Sequence, residues 1–237
     1  MSPVDQRYKA VTVFHPPGKV PHAVVGYIGL WGALTGMSQA GLTVHEANLE
    51  EKQITFAGFP WLLRLRYIME NARNNAEAKV LWLATNNTVG FNHMTGSASD
   101  AEAYAKATEG SEASAGVAGA SAAMPAMVME TMYNYTAFFN ANDPREANAT
   151  YANASATAGA PVRIGFPLGE AVWRTNHGYD PVIRANYLWS QAPNSWYAFR
   201  FISQVSPNSN SNSARAVQNM LYSVPNMLYS VPIFVGC

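Results

Sequence analysis

Late in the chain, Trp173-Arg174-Thr175-Asn176-His177 brings an apolar run to an end on an amide side chain, and Gly178-Tyr179-Asp180-Pro181 follows. Further on stands Asn194-Ser195-Trp196-Tyr197-Ala198-Phe199-Arg200. An Asn176 amide and an Arg200 guanidinium converging on one pocket would supply what an oxyanion or carbonyl oxygen needs, fixed donors aimed at developing charge. The same residues have a plainer use. Asn176 can close a turn at a strand end and Arg200 can sit in a surface ion pair, and chemistry alone leaves both readings open.

Other reactive constellations are missing from the sequence. The five histidines, His15, His22, His45, His93 and His177, form no H-E-x-x-H pattern and no i,i+4 pair. A zinc hydrolase is therefore disfavoured, and no metal site is expected. There is no G-x-S-x-G elbow and no phosphate-cradling loop, and no cofactor is expected. Each isolated histidine reads as an ordinary core or surface residue. The single cysteine, Cys237, is the last residue, so neither an internal disulfide nor a thiolate zinc cluster can form.

Composition narrows the partners. Fifteen basic and fifteen acidic side chains balance in 237 residues, and only 13% of the chain is charged. The electrostatic footprint of nucleic-acid binding is missing. Low charge with 12% aromatic residues suits an uncharged or apolar ligand, as it suits many enzymes. No uncharged run reaches the roughly 20 apolar residues of a membrane-spanning helix. The first residues lack a signal-peptide pattern. Four N-x-[ST] sequons fit a secretory route, but a chain this rich in Asn, Ser and Thr produces about that number by chance.

The elements that must position Asn176 can be read from periodicity. Residues 7–15 alternate and predict a strand, ended by Pro16-Pro17-Gly18. Residues 24–48 predict a central β-hairpin, its tight reversal bracketed by Gly36 and Gly41. Pro60 opens a helix in which Trp61, Leu62, Leu65, Ile68, Met69 and Ala72 share a face, with Arg64, Arg66 and Glu70 on a solvated side. A second helix spans 75–83. A strand over 86–94 follows, then a helix opened by the capping pattern Ser99-Asp100-Ala101-Glu102. Residues 127–139 predict one further strand and 170–176 another, with helical segments over 181–189 and 195–205. Residues 110–126 and 147–161 are low-complexity loops rich in Ala, Gly and small polar residues. Residues 206–237 form a flexible tail in which Asn-Met-Leu-Tyr-Ser-Val-Pro occurs twice in tandem, too short a period for a solenoid.

Tyr8-Lys9-Ala10-Val11-Thr12-Val13, Gly26-Tyr27-Ile28-Gly29, Leu34-Thr35-Gly36-Met37-Ser38 and Gly41-Leu42 together resemble the acid ceramidase group. That group is related to the acyl-CoA:isopenicillin N acyltransferases, within the N-terminal nucleophile (Ntn) hydrolases. The resemblance continues through Phe59-Pro60 and the helix after it, and returns at Arg174-Thr175-Asn176-His177 and over 195–200. It covers about residues 7–95 and 165–205. It implies an α+β fold, a four-layer αββα sandwich, over residues 1–205. It also implies an N-terminal Cys that attacks a linear amide carbonyl after autocleavage, its thiol activated by the adjacent amine. Asn176 would match the family's late oxyanion Asn and Arg200 its late Arg, at a longer spacing.

The chain departs from the pattern at its start. The family's nucleophilic Cys and a following R-N-x-D segment lie upstream of the strand matched here by residues 8–13, and neither is present. Ser2 lies too close to that strand to replace them. The expectation is a domain incomplete at its N-terminus, lacking a segment of the same protein and inactive alone. The complete protein would act on a small-molecule N-acyl amine or ceramide-like lipid, with a secretory or lysosomal location compatible. Two rivals stand beside it: a non-catalytic homologue binding lipid or acyl-amide ligands, and an unrelated α+β domain.

Overall fold

The computed structural model describes residues 7–108, 125–141, 143–151, 162–163 and 172–188. The residues outside these ranges include Arg200, the tandem repeat and most of both low-complexity stretches.

Seven strands follow one another in an antiparallel meander: β1 (Lys9–Phe14), β2 (His22–Tyr27), β3 (Thr35–Ser38), β4 (Leu42–Asn48), β5 (Phe91–Ser97), β6 (Ala126–Met132) and β7 (Tyr135–Phe139). Between β4 and β5 come α1 (Trp61–Asn71) and α2 (Asn75–Leu83), and between β5 and β6 comes α3 (Ala98–Thr108). A short α4 (Pro144–Ala147), a two-stranded β8 (Thr150–Tyr151) and β9 (Val162–Arg163) pair, and α5 (Pro181–Asn186) follow. The architecture is α+β. Among the described residues no helix is long and apolar enough to cross a membrane.

The segment expected to be one hairpin over 24–48 is three strands, because the chain turns earlier than the glycine pattern suggested. Gly29 takes φ +87°, which a side chain would strain, and Leu30 N closes the turn on Tyr27 O at 3.0 Å. Gly36 sits inside β3 and does not bracket the turn. There its bare Cα admits α1, since an added Cβ would lie 2.8 Å from Met69 Sδ. Gly41, at φ +79°, closes the β3–β4 turn as expected.

Other expectations shift for equally local reasons. Residues 127–139 split into β6 and β7 because Tyr133-Asn134 makes a two-residue turn. The strand expected over 86–94 begins at Phe91, since Asn87 is consumed in ties to the β6–β7 hairpin: its Nδ2 donates to Met132 O, Tyr135 O and Thr136 Oγ1. The cap of α3 is Ser97, whose Oγ accepts from Asp100 N at 3.2 Å, rather than Ser99. Residues 172–176, read as strand, are irregular. Helices α1 and α2 form as read, α2 capped by Asn74 accepting from Glu77 N at 2.8 Å.

Both faces of β5 and β6 are buried. On one face, Val24, Leu42, Val44, Met127 and Met129 pack under Leu65, Ile68 and Met69 of α1, Ala72 just after it, and Ala78 and Trp82 of α2. On the other, Met94, Val128 and Phe139 pack under Val172, Trp173, Tyr179, Ile183 and Tyr187. That second cover stops at β4. Beyond it, on the same face, Val11, Val13, Val25 and Met37 are 47–67% exposed.

Candidate functional site

The segment carrying Asn176 has no ladder to hold it, so side chains must. Arg174 and Glu130 are both fully buried, and Arg174 Nε lies 2.9 Å from Glu130 Oε1. Arg174 Nη1 lies 2.7 Å from Glu146 Oε1 and donates to Trp173 O at 2.7 Å. The guanidinium stands 4.6 Å from the Phe139 ring centre and 4.4 Å from that of Tyr179. Glu130 also accepts the backbone N–H groups of Tyr179 and Asp180 at 2.8–2.9 Å. Burial pushes the Glu130 and Glu146 carboxyls up, against the pull of Arg174. Burial disfavours the Arg174 charge too, but Glu146 and Glu130 outweigh it and its pKa is raised. The net effect is a charged staple between β6, α4 and the 172–180 segment.

Asn92 and Asn48 pin the residues between. Asn92 Nδ2, on β5, donates to Thr175 O at 2.6 Å and to His177 O at 2.9 Å. Asn176 Nδ2 donates to Asn48 O, the last residue of β4, at 3.0 Å. The Tyr187 hydroxyl donates to Asn176 O. Asn176 is thus fixed at the end of β4, with one of its two amide hydrogens committed to the backbone and the second left for another acceptor. Asp180 then starts α5, accepting from Val182 N at 2.8 Å and Ile183 N at 3.4 Å. Arg200 lies outside the described residues, so the expected Asn–Arg pair is represented by Asn176 alone.

A polar pair that sequence reading passed over lies on the same sheet face. Thr35 Oγ1 and His45 Nδ1 are hydrogen-bonded across β3 and β4. The strand registers put Val11, Val25, Thr35, His45, Met94 and Val128 in one row, so the pair stands where the exposed apolar surface meets the covered core. Burial lowers His45 to about 4, which keeps its ring neutral at physiological pH. A base that weak will not activate a threonine hydroxyl efficiently, so the pair reads as a neutral hydrogen-bonding spot. Two carboxyls nearby in sequence move the other way: burial raises Glu46 to about 7 and Glu51 to about 8. Among the described residues no group of three or more His, Cys, Asp and Glu side chains could hold a metal ion.

The partners of Arg174 were open to detection. A glutamate in the run Ala126-Met127-Val128-Met129-Glu130-Thr131-Met132 is a charge in an apolar strand, and such a charge needs an ion-pair partner. The Thr35–His45 pair had no such signal, because it depends on register.

No protein-family model matches the chain, and no curated protein matches it. Among solved structures it is similar to the Caenorhabditis elegans ortholog of N-acylethanolamine-hydrolyzing acid amidase, with TM-score 0.40 and 11% identity over 62% of this chain and 57% of that one. It is also similar to a variant of conjugated bile acid hydrolase from Clostridium perfringens, with TM-score 0.34 and 14% identity over 63% of this chain and 50% of that one. The matches span little more than half the length of either protein, and at such TM-scores they carry no argument about what this chain does.

Proposed function

We propose that these residues form the oxyanion side of an Ntn-hydrolase-like amidase acting on linear amide C–N bonds, in N-acyl amines or ceramide-like lipids. The observation that supports it best is the fixing of Asn176. Carbonyls on both sides of it are held by Asn92, its own amide is held by Asn48, and the whole is stapled by Arg174. A donor immobilised before substrate arrives costs no reorganisation when charge develops. In this reading Arg200 is a second donor, and a second sheet covers the open apolar surface of Val11, Val13, Val25 and Met37 to complete an αββα sandwich. Cys237 is the only thiol in the 237 residues and is not N-terminal. In this reading the nucleophile is supplied by a segment of the same protein outside these residues, and this polypeptide alone turns over nothing.

The same open surface favours a second reading, a non-catalytic module that binds an acyl-amide or lipid along it. One assay series addresses both. Incubated with a fluorogenic long-chain N-acyl aminocoumarin, the purified chain should release no fluorophore above buffer; steady release would overturn the claim of inactivity. Asn176→Ala should weaken binding of the N-acyl amide by roughly 2- to 10-fold, the worth of one hydrogen bond. Binding of an alkyl chain of equal length without a carbonyl should be unchanged. Equal losses for both ligands, or none for either, would remove Asn176 from carbonyl recognition.

A further inference from the structure

A second buried polar group lies under the helices, on the sheet face away from Asn176. Arg64 was expected on a solvated face, yet it, Trp82 and His93 are each only 1% exposed. Arg64 Nη1 donates to Asn87 Oδ1 and Nη2 donates to Thr85 O at 2.7 Å. Both acceptors are neutral. Among the described residues Arg64 makes no ion pair, although Arg66, Arg145 and Arg174 all do. A buried guanidinium without a counter-charge is costly, and buried charges are as a rule paired.

Among the described residues three nitrogen atoms in this cluster have no hydrogen-bond partner: Arg64 Nε, Trp82 Nε1 and His93 Nδ1. They belong to groups in contact. The Arg64 guanidinium carbon sits 4.7 Å from the Trp82 ring centre, and the Trp82 and His93 ring centres are 4.5 Å apart. The Arg and Trp nitrogens are donors only, and a neutral imidazole protonated at Nδ1 is a third. In that tautomer each of the three needs an acceptor.

The carboxyl that strand register places beside His93 does not meet this need. Glu46 stands opposite His93 in the β4–β5 register and on the same face, but no hydrogen bond or ion pair joins it to Arg64. Burial raises its carboxyl to about 7, so much of it is uncharged at neutral pH. Burial first, and the Arg64 charge second, hold His93 well below the ordinary imidazole range, so the ring adds no further positive charge. One uncompensated cation among N–H donors favours a monovalent acceptor over a neutral one. A buried water is the neutral competitor.

We propose that Arg64, Trp82 and His93 form an internal site for a weakly hydrated monovalent halide, chloride or bromide rather than the strongly hydrated fluoride, which serves as counter-ion to Arg64 and ties α1 and α2 to β5. The site is independent of the amidase reading and stands or falls separately.

The test is thermal unfolding of the full 237-residue chain at constant ionic strength, with bromide replacing fluoride stepwise. The ordinary salt order makes bromide the less stabilising of the two, so a bromide-specific rise runs against the bulk effect. The expected result is a Tm that climbs roughly 3–5 °C per tenfold bromide beyond half-saturation. Trp82→Phe keeps an aromatic ring at the position and removes one donor; whatever it costs in basal Tm, it should shift half-saturation upward by roughly tenfold. A Tm that is the same in both salts, or lower in bromide, overturns the site and leaves water in its place. A bromide effect untouched by Trp82→Phe overturns this location for it.

Discussion

Arg174→Met is expected to lower the unfolding free energy by roughly 3–5 kcal/mol, the usual cost of breaking a buried ion pair from one side. The substitution keeps much of the apolar stem against Phe139 and Tyr179 but strands Glu130, which is fully buried. Two of the contacts left to Glu130 are the Tyr179 and Asp180 N–H groups, and these favour the carboxylate that burial opposes. Urea unfolding followed by fluorescence measures the loss. The double variant Arg174→Met/Glu130→Gln separates a charge effect from a packing effect, because Gln needs no counter-charge. If the charge is what matters, the double variant is clearly more stable than the sum of the two single losses predicts. Strict additivity would show that the two side chains act separately.

The second large effect is on pH dependence, through Glu46. Burial raises its carboxyl from 4.5 to about 7 in the folded chain, above its unfolded value. A raised carboxyl contributes stability that is complete below the unfolded pKa and is lost as pH climbs through the folded one. The window is therefore about 4.5 to 7, and the full swing is on the order of 2–3 kcal/mol, reduced by the water Glu46 still meets. Glu46→Gln cannot ionise. It should match the parent near pH 4.5 and exceed it by that amount at pH 8. Glu51, raised to about 8, pulls the parent curve the same way, so the variant-minus-parent difference is the quantity to plot. His45 and His93, both lowered by burial, act on the acid side, where their stabilisation fades as pH falls below the unfolded imidazole value. A difference curve flat from pH 4.5 to 8 would show that Glu46 is ordinarily solvated.

Local signals located most elements, and long-range contacts decided what they missed. Apolar spacing marked Trp61, Leu62, Leu65, Ile68, Met69 and Ala72 as one face; Leu65, Ile68, Met69 and Ala72 are fully buried, while Trp61 and Leu62 are half-buried. The alternation of β1, the bounds of α2 and the Pro181 start of α5 were readable for the same reason. The break between β2 and β3 was not, because a single Gly29 in a long apolar run looks like any strand glycine. Arg64 looked solvated because helix periodicity cannot foresee that Asn87 and Thr85 come round to meet it. Asn176 was picked out from sequence, but what holds its segment was not: Asn48 bonds its amide, and Asn92, Glu130 and Arg174 fix its neighbours through pairings that span 44 to 85 residues and leave no local trace.

The order of strands in the sheet has a bearing on how the molecule comes apart. With β1 to β7 each paired to its neighbours in sequence, most of the sheet can grow by adding one adjacent strand at a time, at little loop-closure cost. The 172–188 cover is different, since it must return across β7 and α4 to reach β6 and β5. Contacts of that reach tend to close late, after the folding barrier. Weakening them then shortens the lifetime of the native state more than it slows its formation. On this order of events the meander governs how quickly the chain folds, and the staple at Arg174 governs how long it stays folded.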